Sequence, residues 1–465
     1  MNNLRDWLDR LFSTERLMIC KTGADPKFEV MTWIEQFEGR KACFFPDPLG
    51  HSVPIASGTL GQRAWAAEAM NVRQEEMLGH IQNALHKPLP WAVVNQEQAP
   101  VHEIIHDKSI DLLKLFPIVT HHEKDVGPYI TSGLVHGLNL KTGKQNTSIN
   151  RLQVHAPDKL GILMLPRDLH AYYQDAESMG KPLPVTITIG HDPVTKMASQ
   201  MIAPRDQSEL EIAGALMGRP LSVVKSYTSD VYIPAEAEIA IEGLVLPGVR
   251  ALEGPFGEFP KYYSGSSMLP VIQIQCITHR RKPIFETNHP SGMENVVLGG
   301  VPREASLLER IRVNFPNVID IRLTTGGLGR YHLVVKMKKT NLGEAKNVIC
   351  CAFGCHYDIK LVIVVDDDIN IDDPNDIEWA IATRFQAERD LVVVNGALGS
   401  KLDPSIKKHM LSSKVGIDAT AYLDEIDKFY VTRVPSPAHY VFEESGSQGI
   451  EAFKEYLAKS DNESS

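Results

Sequence analysis

No stretch of the 465-residue chain stays apolar for the roughly eighteen residues that a membrane-crossing helix needs. The first twenty residues also lack the unbroken apolar core of a signal peptide, because Arg5, Asp6, Asp9, Arg10, Glu15 and Arg16 interrupt them. A cytoplasmic protein without membrane contact is therefore expected. Cysteine is scarce, with six residues at 20, 43, 276, 350, 351 and 355, too few for a secreted disulfide scaffold. Cys350, Cys351 and Cys355 precede His356 in an apolar stretch, but no second CxxC pair completes four zinc ligands, so buried free thiols are expected. Positive charge is in deficit: 48 Lys and Arg against 58 Asp and Glu give a net charge of −10, which repels a phosphate backbone and argues against nucleic acid as a partner. Internal repeats and low-complexity tracts are absent.

What remains is an ordinary globular composition, 43% hydrophobic and 23% charged. At about 150 residues per domain the length suggests roughly three domains. Leu4, Trp7, Leu8, Leu11 and Phe12 recur at helical spacing and predict one amphipathic helix. Residues 1–115 read as an N-terminal α/β segment. Residues 116–302 are β-rich, with runs at 130–140, 146–155, 161–165, 183–189, 221–225, 237–244 and 271–277, which favours a β-barrel or sandwich. Helices at 168–180 and 208–217 interrupt it.

Residues 303–440 return to α/β, with helices predicted at 304–313, 342–353 and 375–385 and strands at 331–336 and 360–366. The apolar run 361–365 ends in Asp366, Asp367 and Asp368, as buried strands of doubly wound sheets do. Residues 441–465 predict a C-terminal helix and frayed tail. The fold class is α/β (α+β).

Three polar clusters fall in the β-rich region: Asn146-Thr147-Ser148-Ile149-Asn150-Arg151, then Arg167-Asp168-Leu169-His170, then Ser208-Glu209-Leu210-Glu211. Oxygen donors of this kind suit Mn²⁺ or Mg²⁺ better than zinc. Each cluster alone also reads as strand-end turn formers or helix caps. In Glu253-Gly254-Pro255-Phe256-Gly257-Glu258 a turn can aim two carboxylates into one cleft, where proximity and burial separate their pKa values for acid–base work. The acids at 366–373 do not form a calcium loop, because Ile371 and Ile377 stand where Gly and Glu are required. Gly326-Gly327-Leu328-Gly329 is not a dinucleotide fingerprint.

Taken in order, and joined by Val365-Asp366-Asp367-Asp368-Ile369, Glu378-Trp379-Ala380, Leu402-Asp403-Pro404 and Lys414-Val415-Gly416-Ile417-Asp418, these clusters resemble the UbiD family of reversible decarboxylases over about residues 100–425. The resemblance implies a central split β-barrel that binds flavin and a C-terminal doubly wound domain that makes a homodimer or higher oligomer. It implies prenylated FMN, supplied by a separate flavin prenyltransferase and held through its phosphate by Mn²⁺ and K⁺. Asn146 and Glu209 would then be Mn²⁺ ligands, with Asp168 as the third. Most relatives carry a His at the aligned place, and His170, two residues on, stands in reserve. Ala198, Ser199 and Met201, with Glu209, fall where the family coordinates K⁺. Ile149, Asn150, Arg151 and Arg167 would line the flavin, and Lys414 would reach its phosphate.

The implied reaction is the non-oxidative loss of CO₂ from an aromatic or heteroaromatic acid through a covalent substrate–flavin adduct. Arg151 would hold the carboxylate bidentately, Glu258 would donate the replacing proton and Glu253 would tune the network. The alternatives are a metal-assisted hydrolase and a catalytically silent flavin-binding subunit. Phe256, Phe259, Tyr262, Tyr263, Met293 and Leu298 are candidate pocket walls, or simply core.

Overall fold

The computed structural model describes residues 2–203, 207–406, 408–432, 434 and 446–460. They form two compact units, Met1–Thr420 and Ala421–Ser465. The second holds a short helical turn at Leu423–Phe429 and the helix Ser447–Ser460, as expected near the C-terminus. Everything below concerns the first.

The predicted N-terminal helix forms at Leu4–Ser13, capped by Asn3, whose side chain accepts from the Asp6 N–H at 3.1 Å. It buries Leu4, Trp7, Leu8 and Leu11, while Phe12 stays 60% exposed. A four-stranded sheet follows, ordered Leu17–Ile19, Ala42–Phe45, Ile55–Ser57 and Phe285–Glu286. Its last strand comes from far along the chain. Ala92–Val93 pairs with Ser222–Lys225, and Ile104–His106 pairs with Ser267–His279. Several strands of the segment expected at 1–115 are thus completed by the β-rich region, because strand pairing is non-local and leaves no periodic signal in sequence.

The central sheet is antiparallel and nine-stranded. Its order is Tyr129–Ile130, Leu152–Ala156, Lys159–Ile162, Ser267–His279, Ile239–Glu253, Leu183–Ile189, Leu134–Leu138, Gln145–Ile149, with Ile104–His106 off this path. Consecutive strands Gln145–Ile149 and Leu152–Ala156 lie at opposite ends of that order, so the barrel is split between Ile149 and Leu152. The two predicted helices form at Asp168–Ser178 and Glu209–Met217. Ser208 caps the second, and Gly218 ends it at φ 68°, a left-handed turn suited to glycine.

The C-terminal sheet runs Val318–Leu323, His332–Met337, Leu361–Val365, Leu411–Ala419, Leu391–Leu398. Its three inner strands are parallel and both edges antiparallel. Helices Met293–Arg312 and Glu344–Cys355 pack one face and Pro374–Arg384 the other, as a doubly wound domain requires. Two expectations are corrected here. The helix expected at 304–313 begins at Met293 and carries Pro302 inside it, so the boundary expected at 302/303 falls within a helix. Interior proline costs about 3 kcal/mol, which burial of Val297, Leu298, Val301, Ala305, Leu307 and Leu308 offsets. Cys350 is exposed, and Cys351 and Cys355 are partly so, because their helix turns Ala345, Val348, Ile349 and Ala352 inward instead.

A buried charge cluster ties the parts together. Lys196, on helix Pro193–Ala198, donates at 2.6 Å to Thr59 Oγ1, Glu286 Oε1 and Glu294 Oε1. Burial lowers the ammonium's pKa, but the two carboxylates outweigh it and raise the pKa above its ordinary value. Lys196→Met strands both carboxylates in the interior. The expected loss is about 3–5 kcal/mol of stability, read as a lower urea midpoint with unchanged slope.

Candidate active site

The strand Gln145–Ile149 ends where the barrel splits, so Asn146 and Arg151 do not share one regular strand. They serve two groups of residues. Arg151 turns toward the end of strand Ile239–Glu253 and the turn beyond it. Its Nη2 donates to Glu253 Oε2 at 2.7 Å, and its Nη1 donates to Glu258 and, at 3.2 Å, to Ser264 Oγ. Its guanidinium carbon lies 5.0 Å from the centre of the Phe256 ring, which in turn packs 4.4 Å from the Tyr129 ring.

The turn Glu253–Glu258 therefore does aim both carboxylates at one place, and one arginine holds them. Burial and the neighbouring Glu253 charge raise the Glu258 pKa, while Arg151 opposes them. The Arg151 fork, expected to hold a substrate carboxylate, pairs in this structure with the protein's own acids. Its Nε is buried and, among the described residues, has no hydrogen-bond partner.

The second group gathers around Glu209, at the start of its helix. Glu209 accepts from Asn146 Nδ2 at 2.8 Å and from the Thr147 N–H at 2.7 Å. Burial, with the charge of Asp168 added, pushes its acid up to about 8. Asp168 is the first residue of helix Asp168–Ser178, and His170 lies two positions on, which points away around a helix. With Asp168 half-buried beside buried Glu209 and Asn146, two carboxylates and, once the amide turns, its oxygen suit a hard dication, whose charge would bring Glu209 back to the ionised form. Ala198 and Ser199 end helix Pro193–Ala198, where carbonyls lose their helical partners, and Met201 follows. Among these, the Ala198 carbonyl accepts from the Met201 N–H at 3.0 Å and the Ser199 carbonyl from Gln200 Nε2 at 3.2 Å.

The other expected cofactor residues are spread more widely. Ile149 ends its strand, and Asn150 bridges the split by donating from Nδ2 to the Leu163 carbonyl at 2.9 Å. Arg167 precedes helix Asp168–Ser178 and is exposed. Lys414 is buried on the C-terminal sheet, where its Nζ donates to the carbonyls of Tyr357 (2.9 Å) and Ile359 (2.8 Å). Of the candidate walls, Phe256 and Leu298 are buried, while Tyr262 and Tyr263 are exposed.

Sequence reading missed a cluster of buried cations. Arg303 is buried and Arg330 half-buried, with Arg167 and His356 near enough to act on them. Burial, Arg330 and Arg167 push Arg303 down to about 9, against the pull of Asp358. Burial and the surrounding arginines hold His356 near 4, and so neutral. Arg330 stacks 4.3 Å from the Phe259 ring centre, and its charge acts on Glu258. Gly299 admits it, since a Cβ there would lie 2.8 Å from Arg330 Nη2. Buried arginine such as Arg303 is rare unless paired, and three arginines acting around Asp358 leave charge for an anion. Nothing in the spacing of isolated arginines could have signalled this.

Also missed was a cavity of about 610 Å³ on another side of Glu258, walled in part by His121, His122, His289 and Tyr263.

Comparison with known proteins agrees with this geometry. The family model described as 3-octaprenyl-4-hydroxybenzoate carboxy-lyase Rift-related domain matches residues 92–293, and the corresponding C-terminal domain matches 296–419. The junction falls at the start of helix Met293–Arg312. The anhydromevalonate phosphate decarboxylase of Methanothermobacter thermautotrophicus is 34% identical over 92% of this chain and 98% of its own. The gallate decarboxylase of Lactiplantibacillus plantarum is 30% identical over 83% of this chain and 84% of its own. The UbiD-class enzyme HmfF of Pelotomaculum thermopropionicum, solved with FMN, superposes with a TM-score of 0.92 at 44% identity, covering 93% of this chain and 97% of that one. An evolved dimeric form of HmfF, solved with prFMN, gives 0.88 at 42%, covering 94% and 97%. The chain belongs to the UbiD family of carboxy-lyases.

Proposed function

We propose that this chain is a prenylated-FMN-dependent decarboxylase that removes CO₂ reversibly from an aromatic or heteroaromatic acid. The observation that carries this reading is Arg151 held between Glu253 and Glu258, with Glu258 raised in pKa beside it. When bound, the modified flavin supplies the electron sink and the covalent anchorage for the carbon that loses CO₂. Asn146, Asp168 and Glu209 would hold Mn²⁺, the carbonyls of Ala198, Ser199 and Met201 with Glu209 would hold K⁺, and a separate prenyltransferase would make the cofactor.

The chain's own residues do the rest. A protonated Glu258 no longer pairs ionically with Arg151, which frees Nη1 for the substrate carboxylate. The same protonated acid then gives its proton to the carbon that has lost CO₂. Glu253 keeps Arg151 in place throughout.

The cluster of Arg303, Arg330 and Arg167 favours a substrate with a second anionic group. The relatives' names span both kinds, gallate on one hand and a phosphate-bearing acid on the other. The test is to co-express the chain with a flavin prenyltransferase, with manganese and potassium supplied, and to take the absorption spectrum and mass of the released small molecule. A prenylated flavin, followed by CO₂ release from ring monoacids or ring dicarboxylates, supports the reading, and release from anhydromevalonate phosphate alone overturns its aromatic part. A colourless protein sinks it. Glu209→Gln is expected to lower the manganese content of the purified protein about tenfold or more, measured by elemental analysis, with little change in the unfolding midpoint.

A further inference from the structure

Glu258 gives up one proton per turnover and must regain it. Arg151, Tyr129 and Glu253 do not supply it. Arginine does not release its proton, and burial with the Glu253 charge raises the Tyr129 hydroxyl beyond reach. Glu253 is already paired with Arg151.

The cavity side offers three imidazoles, and imidazole is the side chain that exchanges protons in the neutral range. Two are otherwise engaged. Burial pushes His121 down to about 3, and its Nε2 lies 3.0 Å from Thr287 Oγ1 and 3.2 Å from Thr131 Oγ1. His289 is held by Glu38 Oε2 at 3.1 Å and by Ser291 Oγ at 3.1 Å.

His122 is different. Its Nδ1 stands 3.4 Å from Asp125 Oδ2, and among the described residues it has no closer partner. Asp125 also accepts from the His122 N–H at 2.9 Å and, through Oδ1, from the Gly257 N–H at 2.8 Å. One carboxylate thus orients the imidazole and pins the residue next to Glu258. The ring lies against Gly257 closely enough that a Cβ there would collide with it. His122 and Glu258 line the same cavity, with the exposed acids Glu35 and Glu123 at its rim.

We propose that His122, oriented by Asp125, returns to Glu258 from the cavity the proton that each decarboxylation consumes. The inference rests on the decarboxylase reading above. The bond to CO₂ breaks, and the carbon that bore it forms a C–H bond with the Glu258 proton, leaving Glu258 as the carboxylate. The imidazolium of His122 then gives a proton to the Glu258 carboxylate through cavity water, and solvent reprotonates the imidazole. Asp125 is a positioning residue.

Two measurements test this. In the cofactor-free protein, ¹⁵N-histidine NMR is expected to show His122 protonated at Nδ1, facing Asp125, and Asp125→Asn is expected to abolish that preference. A wild-type His122 protonated only at Nε2 overturns the orientation. In the loaded enzyme, His122→Gln is expected to release about one equivalent of CO₂ at the wild-type rate. It then slows by about 10²-fold, and added imidazole restores the later turnovers. A His122→Gln enzyme that turns over steadily at the wild-type rate, or that slows in both phases without imidazole rescue, overturns the relay alone. A wild-type enzyme that carries prenylated flavin yet turns over no acid overturns the decarboxylase reading and the relay with it.

Discussion

Arg151→Met is expected to cut CO₂ release by about 10³-fold or more, the scale of losing a buried donor aimed at developing charge. Its two functions fail together. The substrate carboxylate loses its proposed guanidinium partner, and Glu253 and Glu258 lose the cation that permits both to sit in the interior. Breaking a buried pair in this way costs about 3–5 kcal/mol, so the urea midpoint falls as well. Arg151→Lys separates the two effects. A point charge relieves part of the carboxylate repulsion and restores much of the stability, but it lacks the planar fork, and turnover stays low. An Arg151→Met enzyme within tenfold of wild-type turnover would remove the central argument for this site.

Glu258→Gln is expected to lower turnover by about 10²–10⁴-fold with little change in flavin content, measured as CO₂ release against bound-flavin absorbance. The pH dependence follows from the raised Glu258 pKa. Proton donation needs the acid form, so turnover is full below that pKa and falls as pH rises through it. Glu253→Gln removes the neighbouring negative charge that helps raise it, and the alkaline limb is expected to move to lower pH. Stability carries the same sign. A carboxyl whose folded pKa lies above its unfolded value binds its proton more tightly when folded, and this contribution is lost as pH rises through the folded value. An alkaline limb that stays in place in Glu253→Gln would show that Glu258 does not set it.

Much of this was legible in sequence, for identifiable reasons. The helix Leu4–Ser13 and the apolar strand Leu361–Val365 carry strong local periodicity, and both formed where expected. The pairs Asn146–Glu209 and Arg151–Glu253 were legible only as a set in order, since each residue alone is a plausible cap or turn former. The start of helix Met293–Arg312 was hidden by Gly299, Gly300 and Pro302, which read as breakers until packing against the core outweighs them. Arg303 and Arg330 lie on a helix and a loop, and only the folded chain shows that their charges and that of Arg167 act on one another. His121 and His122 looked like any adjacent pair, because nothing local marks the cavity they face.

The strand Ile55–Ser57 pairs with Phe285–Glu286, and Ala92–Val93 with Ser222–Lys225. On a ribosome adding about 5–20 residues per second, the first of these edges waits on the order of 10–50 s for its partner to be made. During that interval Ala42–Phe45 and Ile55–Ser57 form an unfinished sheet with an open rim, the kind of template that recruits foreign strands. Yield at high expression is therefore expected to depend on synthesis rate and chaperone supply, even for variants whose finished fold is as stable as the parent's.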